Sequence, residues 1–546
     1  MTRRSRFADA LADRAVRRLL KLPQPSRDYR VTFDVEVPMR DGVVLLADHY
    51  VPAGPVRGTI LVRSPYGRAG VMGMLFCRPF ALQGFQVLSV SCRATFGSAG
   101  ILNAFHGEVE DGLDTVAWMR EQSWFTGSFG TMGTSYLGLT QWALLTDPPP
   151  EMKTAVIVSG PHDTGRLLYG TGAINLVSSV GWTYGMVNQG SHGPVAGTLL
   201  GAIQRDKKYR HVLDAAPVGD AAHGLWGDKA AWFDEWLAQR DVTDPFWDSA
   251  RVTSAHEATD IPVLLYSGWH DLILEQVLES YAALAARGVD VQLRVGPWSH
   301  ADLVGKGAGQ ITRDALAWFA EHLAHDGERA STSPVRIKIG GSDEWRDLDA
   351  WPPASDTRTF YLQPGGGLAG DPPAADAGPS LLRYDPADPT PAVGGMSNAL
   401  DAGRRDNTAR ERRADVLTFS TAPLTSALEV VGSPEVELAF ATDNPHVDWL
   451  VRVCEVDTKG KSWNVSEVYA RRNVKANTLR LTLSPMAHRF RVGTRIRLQI
   501  SGGAHPVYDR NMGTGETVGL SSQMQVSNRE IAHGKGGQSF VTLPVV

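Results

Sequence analysis

The segment Gly-Thr-Ser-Tyr-Leu-Gly at residues 133–138 constrains the fold of this chain most, because it sets Ser135 between a strand-like run and a helical run. A tight turn of this kind holds a serine hydroxyl clear of the backbone, where it can attack a carbonyl carbon. Residues 139–145 continue as a helix without a breaker. The spacing departs from the usual Gly-x-Ser-x-Gly, since Leu137 occupies the second glycine position and Gly138 follows it. Taken alone, the motif is weak, because a serine between glycines usually marks an ordinary turn.

Two later segments favour a catalytic role for this serine. Residues 261–268 and 289–295 are short apolar runs bounded by proline and glycine, which is typical of buried parallel strands. Asp271 follows the first run and His300 follows the second. Functional groups collect at the carboxyl ends of strands in such sheets, and the order serine, acid, histidine is the order of α/β-hydrolases. We therefore predict Ser135 as nucleophile, His300 as general base and Asp271 as the residue that orients it.

Two other histidines compete for the role of base. The chain contains 15 histidines. His270 is adjacent to Asp271, and His162 follows a further strand-like run at residues 155–159. Side chains of neighbouring residues on a strand-end loop tend to diverge, so His300 is the preferred candidate.

The oxyanion of the reaction requires hydrogen-bond donors. The backbone N–H of the residue after the nucleophile, Tyr136, is the first candidate. The second donor is expected in the loop after the strand at residues 59–63, where the hydroxyl of Tyr66 could serve. Spacing alone leaves Tyr66 equally compatible with a packing role.

Further motifs extend the pattern over most of the chain. They are Pro65-Tyr66-Gly67, Glu110-Asp111-Gly112 with Asp114 and Trp118, Trp124, Gly133-x-Ser135-Tyr136-x-Gly138, Gly268-Trp269-His270-Asp271, Gly296-Pro297-Trp298-Ser299-His300, Asp343-Glu344-Trp345-Arg346, Tyr384-Asp385-Pro386-Ala387-Asp388-Pro389 and Tyr508-Asp509-Arg510-Asn511. With these segments the chain resembles the CocE/NonD acyl-esterase and X-prolyl dipeptidyl aminopeptidase (peptidase S15-like) family, and its bacterial cocaine-esterase type most of all. The resemblance implies a serine hydrolase with the triad Ser135, Asp271 and His300, and an oxyanion hole made by Tyr66 and Tyr136.

One loop departs from the family pattern. After the strand at residues 86–90 the family usually has Asp-x-Arg-Gly followed by Ser-x-Gly. This chain has Ser91-Cys92-Arg93-Ala94, with Ser98-Ala99-Gly100 further on. The missing aspartate and glycine leave the hydrogen bonding of this loop open, but they do not affect the triad.

The pattern of apolar residues predicts an α/β fold with additional parts. Strands alternate with helices in the first part and again after residue 261, while the part between them is helical and rich in aromatic residues. These aromatic residues could line an acyl pocket or form the core of the insert itself, and they are Tyr169, Trp182, Tyr184, Trp226, Trp232, Phe233 and Trp236. The last part alternates apolar and polar residues, as half-buried antiparallel strands do. We predict a basic helical extension (1–27), an α/β-hydrolase domain (28–161 and 248–333), an inserted helical cap (162–247) and a C-terminal β-sandwich (334–546), which the resemblance specifies as a jelly roll.

Composition restricts the partners and the compartment. The chain has 546 residues and a formal net charge of −5, without a basic face for nucleic acid. Only three cysteines occur, and none forms a CxxC pair, which argues against a disulfide framework or a zinc site and favours a reducing, cytoplasmic location. Charged residues interrupt any export signal after Arg3-Arg4, and no run is apolar enough to span a membrane. We expect no cofactor, no metal and no stable membrane insertion, and the sequence leaves homo-oligomer formation open.

The substrate class follows less directly. Amino-ester hydrolases of this family carry acidic residues just after the catalytic aspartate, whereas Leu272-Ile273-Leu274 follow Asp271 here and Glu275 comes only later. A small-molecule carboxylic ester is therefore the favoured substrate. An X-prolyl dipeptidyl aminopeptidase or amidase and an acyltransferase are alternatives that use the same triad. A non-catalytic jelly-roll binding protein is the alternative from a different class.

Overall fold

The structure, a computed structural model, describes residues 13–189, 199–327, 332–473, 477–517 and 519–546. The first twelve residues of the predicted basic extension lie outside these ranges. Within the described residues, no helix combines the length and apolar character needed to cross a membrane. All three cysteines are buried and free, as a chain without a disulfide framework requires.

A ten-stranded sheet forms the centre of the first part. Its strands follow the spatial order β1-β2-β4-β3-β5-β6-β7-β8-β9-β10, with parallel pairing from β4 through to β9 and antiparallel pairing at both edges. The central strands are apolar because both of their faces are buried. The bounds are β1 Tyr29–Pro38, β2 Val44–Pro52, β3 Thr59–Ser64, β4 Gln86–Ser91, β5 Phe129–Thr134, β6 Met152–Val158, β7 Val263–His270, β8 Val291–Ser299, β9 Val335–Lys338 and β10 Trp345–Leu348.

Helices pack on the sheet and form the insert between β6 and β7. The bounds are α1 13–19, α2 Gly70–Phe76, α3 Arg78–Ala81, α4 Glu108–Arg120, α5 Tyr136–Leu144, α6 Thr164–Tyr169, α7 Leu176–Val187, α8 Leu199–Asp214, α9 Val218–Trp226, α10 Ala231–Ala238, α11 Ala255–Ala258, α12 Leu274–Ala286, α13 His300–Leu303 and α14 Ala308–His322, with 3₁₀ turns at Gly227–Ala230, Pro245–Ala250, Pro364–Gly366 and Arg410–Arg412. Helices α6 to α10 make up the predicted insert. The α/β-hydrolase class with an inserted helical segment is thus confirmed.

Thirteen further strands form the C-terminal part around a second apolar core. Their alternating burial is the reason for the alternating sequence pattern, since one face of each strand points into that core. The bounds are β11 Asp356–Gln363, β12 Gly367–Ala369, β13 Ser380–Tyr384, β14 Val416–Ser420, β15 Leu428–Gly432, β16 Glu435–Thr442, β17 His446–Val456, β18 Ser462–Asn473, β19 Thr478–Thr482, β20 Met486–Phe490, β21 Arg495–Ser501, β22 Ser527–Ile531 and β23 Phe540–Val545.

Two strands that follow the predicted boundary at residue 334 belong to the first sheet. Strand β9 pairs in parallel with β8 and belongs to the ten-stranded sheet, and β10 follows it as the edge strand. Val335 and Ile337 are fully buried in the core of the first part. This burial explains their place in the first sheet, and the strands of the second sheet begin at Asp356.

The described end of the basic extension packs on the first part. Residues 13–19 are helical, and Asp13 forms an ion pair with Arg78 at 3.2 Å. The guanidinium of Arg313 donates a hydrogen bond to the carbonyl of Leu20 at 2.7 Å. These contacts hold α1 against α3 and α14.

Candidate active site

Ser135 lies in the turn that joins β5 to α5. Its backbone is at φ 64° and ψ −122°, a conformation that costs energy for a residue with a Cβ atom. The N–H of Ser135 donates to the carbonyl of Val158 in the neighbouring strand at 2.9 Å, which fixes the turn to the sheet. A strained strand-to-helix turn of this type exposes the serine hydroxyl at the end of the sheet.

Two glycines allow this turn to form. A Cβ atom on Gly133 would lie 2.2 Å from the Cβ of Leu137, and one on Gly138 would lie 2.3 Å from the Cα of Gly160. The second glycine of the usual motif has therefore moved by one position because Gly138, rather than Leu137, is the residue in contact with the adjacent strand end. The unusual spacing is compatible with a nucleophile turn.

Asp271 and His300 form a hydrogen-bonded pair at the ends of β7 and β8. The Nδ1 of His300 lies 2.9 Å from Oδ1 of Asp271 and 3.3 Å from the hydroxyl of Ser159. Nδ1 is thereby engaged, and Nε2 is the ring nitrogen left to accept a proton. Asp271 is fully buried, whereas His300 keeps 12% of its side chain exposed.

The environment of Asp271 keeps it ionised. Burial alone would raise the pKa of this carboxyl group, but the His300 imidazole and hydrogen bonds outweigh that effect and lower the pKa below its usual value. Ser267 donates its hydroxyl to Oδ2 at 3.0 Å, and the N–H of Ile273 donates to Oδ1 at 3.1 Å. The sequence alone did not predict a role for Ser159 or Ser267. Both lie at strand ends, but serine is too common at strand ends for this position to indicate a functional residue.

The hydroxyl of Tyr66 lies near Ser135, whose side chain acts to lower the pKa of the phenol. This hydroxyl accepts a hydrogen bond from the indole N–H of Trp182 at 3.0 Å. Burial raises the pKa of Tyr66 to about 12, although both contacts act in the opposite direction. The phenol is therefore protonated at neutral pH and able to donate a hydrogen bond.

Tyr136 occupies the first position of α5, where a backbone N–H has no carbonyl partner one turn earlier. Its side chain is anchored beneath the site, since the hydroxyl donates to Oε1 of Glu108 at 2.8 Å. Glu108 in turn receives a hydrogen bond from Arg63 at 2.7 Å, and both side chains are buried. Burial raises the pKa of Glu108 despite the opposing effect of Arg63. Sequence analysis missed Glu108, because nothing in its spacing links it to the serine turn.

Ser135, His300 and Tyr66 line one cavity of about 510 Å³. Within the described side chains, Ser135 makes no hydrogen bond to His300, and catalytic hydrogen bonds commonly tighten only when substrate binds. Of the seven aromatic residues singled out in the cap, Trp182 and Trp236 line this cavity. The others belong to the buried core or its edge, as the packing role of these aromatics predicts.

The competing histidines lie elsewhere. His162 is buried and packs edge to face against His256 with ring centroids 4.6 Å apart, and its Nε2 lies 3.4 Å from Glu279. Burial lowers the pKa of His270 to about 4, and its charged neighbours are residues of the C-terminal part, such as Glu467. Neither His162 nor His270 lines the cavity at Ser135.

The loop that departs from the family pattern is well hydrogen-bonded. Ala94 stands in the usual glycine position and adopts φ 59°, while its N–H donates to the carbonyl of Ala99 at 2.9 Å. Ser91, in the usual aspartate position, accepts a hydrogen bond from Arg68 at 2.9 Å. Arg93 pairs with Asp111 at 2.6 Å. Hydrogen bonds and an ion pair therefore hold this loop without the aspartate and the glycine, at the cost of a left-handed alanine.

Two family models match successive regions of the chain. Residues 41–302 match the model of the X-Pro dipeptidyl-peptidase (S15 family), and residues 328–542 match the model of the X-Pro dipeptidyl-peptidase C-terminal non-catalytic domain. The chain is 28% identical to the cocaine esterase of Rhodococcus sp. (strain MB1 Bresler), over 95% of this chain and 99% of that protein.

Two solved structures share the fold over nearly the whole chain. An α-amino acid ester hydrolase superposes with a TM-score of 0.81 at 24% identity, covering 96% of this chain and 98% of the other. An aminopeptidase from the marine sediment archaeon Thaumarchaeota archaeon gives a TM-score of 0.82 at 20% identity, covering 96% and 97% of the two chains. Matched in order by both family models, the chain is similar to X-Pro dipeptidyl-peptidases of the S15 family and to the cocaine esterase, and it is a serine hydrolase.

Proposed function

We propose that this serine hydrolase cleaves carboxylic esters through an acyl-enzyme formed on Ser135. His300 removes the proton of the Ser135 hydroxyl as its oxygen attacks the acyl carbon, and then delivers this proton to the departing alcohol. Asp271 keeps the imidazole in the required tautomer and stabilises its cation. A water molecule repeats the cycle on the acyl-enzyme and releases the acid. The observation that carries this proposal is the 2.9 Å contact between Nδ1 of His300 and Asp271, next to the cavity that Ser135 lines.

Two donors stabilise the oxyanion in this mechanism. The N–H of Tyr136 is free of helical bonding, and the hydroxyl of Tyr66 already contacts Ser135. Both groups are fixed before the reaction begins, Tyr66 by Trp182 and Tyr136 by Glu108. Donors that need no reorganisation act most strongly on charge that develops in the transition state.

The lining of the cavity favours esters without a free α-amino group. Among the described residues that line it, none is an aspartate or glutamate, and apolar Leu272 and Ile273 follow the catalytic Asp271. An α-ammonium group would lose its hydration here without gaining a carboxylate partner, which is costly. The chain is similar to a cocaine esterase and to an α-amino acid ester hydrolase, and both of these proteins are named for ester cleavage. This similarity supports ester cleavage in general.

A matched pair of substrates tests this preference. Methyl phenylacetate and phenylglycine methyl ester differ only by the α-amino group, and we expect kcat/KM to favour the former by at least about 100-fold, since an unpaired buried charge costs several kcal/mol. A preference for the amino ester, or faster cleavage of an X-Pro anilide than of the plain ester, would support the aminopeptidase alternative instead. Product partitioning with an added alcohol measures acyl transfer in the same assay.

A further inference from the structure

One polar side chain in the catalytic cavity has no role in the mechanism above. Asn175 precedes α7, is 5% exposed, and its Oδ1 makes no hydrogen bond within the described part of the chain. An asparagine in this position usually caps the helix by accepting a backbone N–H, but Asn175 makes no such bond. A buried carboxamide oxygen left without a donor costs about 1–3 kcal/mol, so a ligand group that donates a hydrogen bond to it would remove that cost.

Asn175 also lines a second cavity. This cavity has a volume of about 990 Å³ and lies between the cap, α12 and the C-terminal part. It shares with the catalytic cavity only residues of the cap and of the loop before α12, which are Leu167, Leu168, Asn175 and Leu272. The carboxamide therefore lies at the junction between the aromatic space around Ser135 and a larger, more polar space.

The C-terminal part fixes the segment that carries this carboxamide. The N–H of Ile174 donates to Oδ1 of Asp509 at 2.9 Å, and the N–H of Val177 donates to the carbonyl of Pro506 at 3.2 Å. The N–H of Asn175 itself bonds to the carbonyl of Leu168 at 3.0 Å. With the backbone held on both sides, the unpaired side chain occupies a defined position.

The charges of the second cavity balance. Arg166 pairs with Glu279 at 2.7 Å, and Glu467 accepts from Arg452 at 2.6 Å. Glu275 and Arg472, one of each sign, remain on its walls, and Glu275 accepts the hydroxyl of Ser484 at 3.0 Å. A space with paired charges and several hydrogen-bonding groups suits a neutral polar ligand better than an ion.

We propose that Asn175 is a specificity residue that binds a neutral hydroxyl-bearing part of the substrate. The substrate class is an ester with an apolar, aromatic half beside Trp182 and Trp236, and a hydroxylated half that passes Asn175 into the second cavity. This inference rests on the proposed ester hydrolysis at Ser135 and adds the chemistry of the second half of the substrate.

A substrate series measures this preference. In the first series, benzoate esters of ω-hydroxyalkanols with two to six methylene groups are compared with alkyl benzoates of equal length. In the second series, benzyl ω-hydroxyalkanoates are compared with benzyl alkanoates, which places the hydroxyl on the acyl side. At one chain length in one series, kcat/KM of the wild type favours the hydroxyl ester by about tenfold or more, the value expected of one well-placed hydrogen bond. Asn175→Leu keeps the side-chain size and removes this ratio. Asn188→Leu, at the other end of α7 and lining neither cavity, leaves the ratio within twofold of wild type.

The ratio within each variant cancels any loss of folded enzyme. A wild type without a hydroxyl preference at any length overturns the inference, and so does an Asn175→Leu variant that retains the wild-type ratio. Either result leaves the proposed function intact as long as Ser135→Ala abolishes hydrolysis of the same benzoates. Persistent hydrolysis in Ser135→Ala would instead refute the proposed function.

Discussion

Replacement of Tyr66 by phenylalanine tests the oxyanion hole, because it removes one hydroxyl and retains the ring. The side chain of Tyr66 is half-buried, contacts Ser135 and is protonated at neutral pH. Only two donors are assigned to the oxyanion, so loss of this one should cost about 2.7–4 kcal/mol of transition-state stabilisation, or about 10²–10³ in kcat. KM should change little, since the interaction develops only in the transition state.

Trp182 supplies an internal control for this interpretation. Its indole N–H donates a hydrogen bond to the phenol oxygen of Tyr66, so the phenol proton points away from the indole. Trp182→Phe should lower kcat by about 2–13-fold, the value of one neutral hydrogen bond. In the Tyr66→Phe background the same change should have no further effect on kcat, because the group it orients is gone.

Stopped-flow acylation with an activated aryl ester measures these effects on the chemical step directly. A decrease of less than tenfold in Tyr66→Phe would assign Tyr66 a packing role. An undiminished effect of Trp182→Phe in the double variant would show that the indole acts on the substrate and not through Tyr66.

Three further changes have defined outcomes. Asp271→Asn should lower kcat by about 10⁴ while leaving the fold intact, because the amide stabilises the wrong imidazole tautomer, and steady-state kinetics with circular dichroism separate the two. His49 is buried, and this burial lowers the pKa of its imidazole to about 4, below the usual 6.5 of the unfolded chain. The stability contributed by the neutral imidazole is therefore present above about pH 6.5 and is lost as the pH falls towards 4. His49→Gln should therefore reduce the loss of unfolding free energy between pH 7 and pH 5 by about 1–2 kcal/mol in denaturant titrations, and an unchanged pH dependence would contradict this. Ala94→Gly should raise the stability by about 0.5–1 kcal/mol by relieving a positive φ, whereas Ala99→Gly in the same loop should lower it.

The sequence allowed the catalytic strand ends to be predicted because each carries a local signal. A parallel strand buried on both faces must be apolar, and the chain must leave it through glycine, proline or polar residues. These rules located Ser135, Asp271 and His300 at the ends of β5, β7 and β8. The chain order of the three residues then selected one type of chemistry.

The remaining features depend on tertiary pairing. Val335 and Ile337 alternate with polar residues, which is compatible with an edge strand of either sheet. Only their burial beside β8 in the structure assigns them to the first sheet. Asn398 reaches the catalytic cavity from the C-terminal part, more than two hundred residues beyond Ser135 in the sequence. Asn175 has the local sequence pattern of a helix cap. Only the structure shows that its Oδ1 accepts no hydrogen bond from the helix and is therefore available to a ligand.

In the proposed mechanism Ser135 is an activated nucleophile, and covalent labelling can detect such a residue. A fluorophosphonate should give a single adduct in the intact mass, and peptide mapping should place it on Ser135. The adduct should be absent in Ser135→Ala, and the same variant should lose about 10⁴–10⁶ of the ester hydrolysis rate. A folded wild type that hydrolyses esters while Ser135 stays unmodified, or that carries the label on another residue, would show that Ser135 is not the nucleophile.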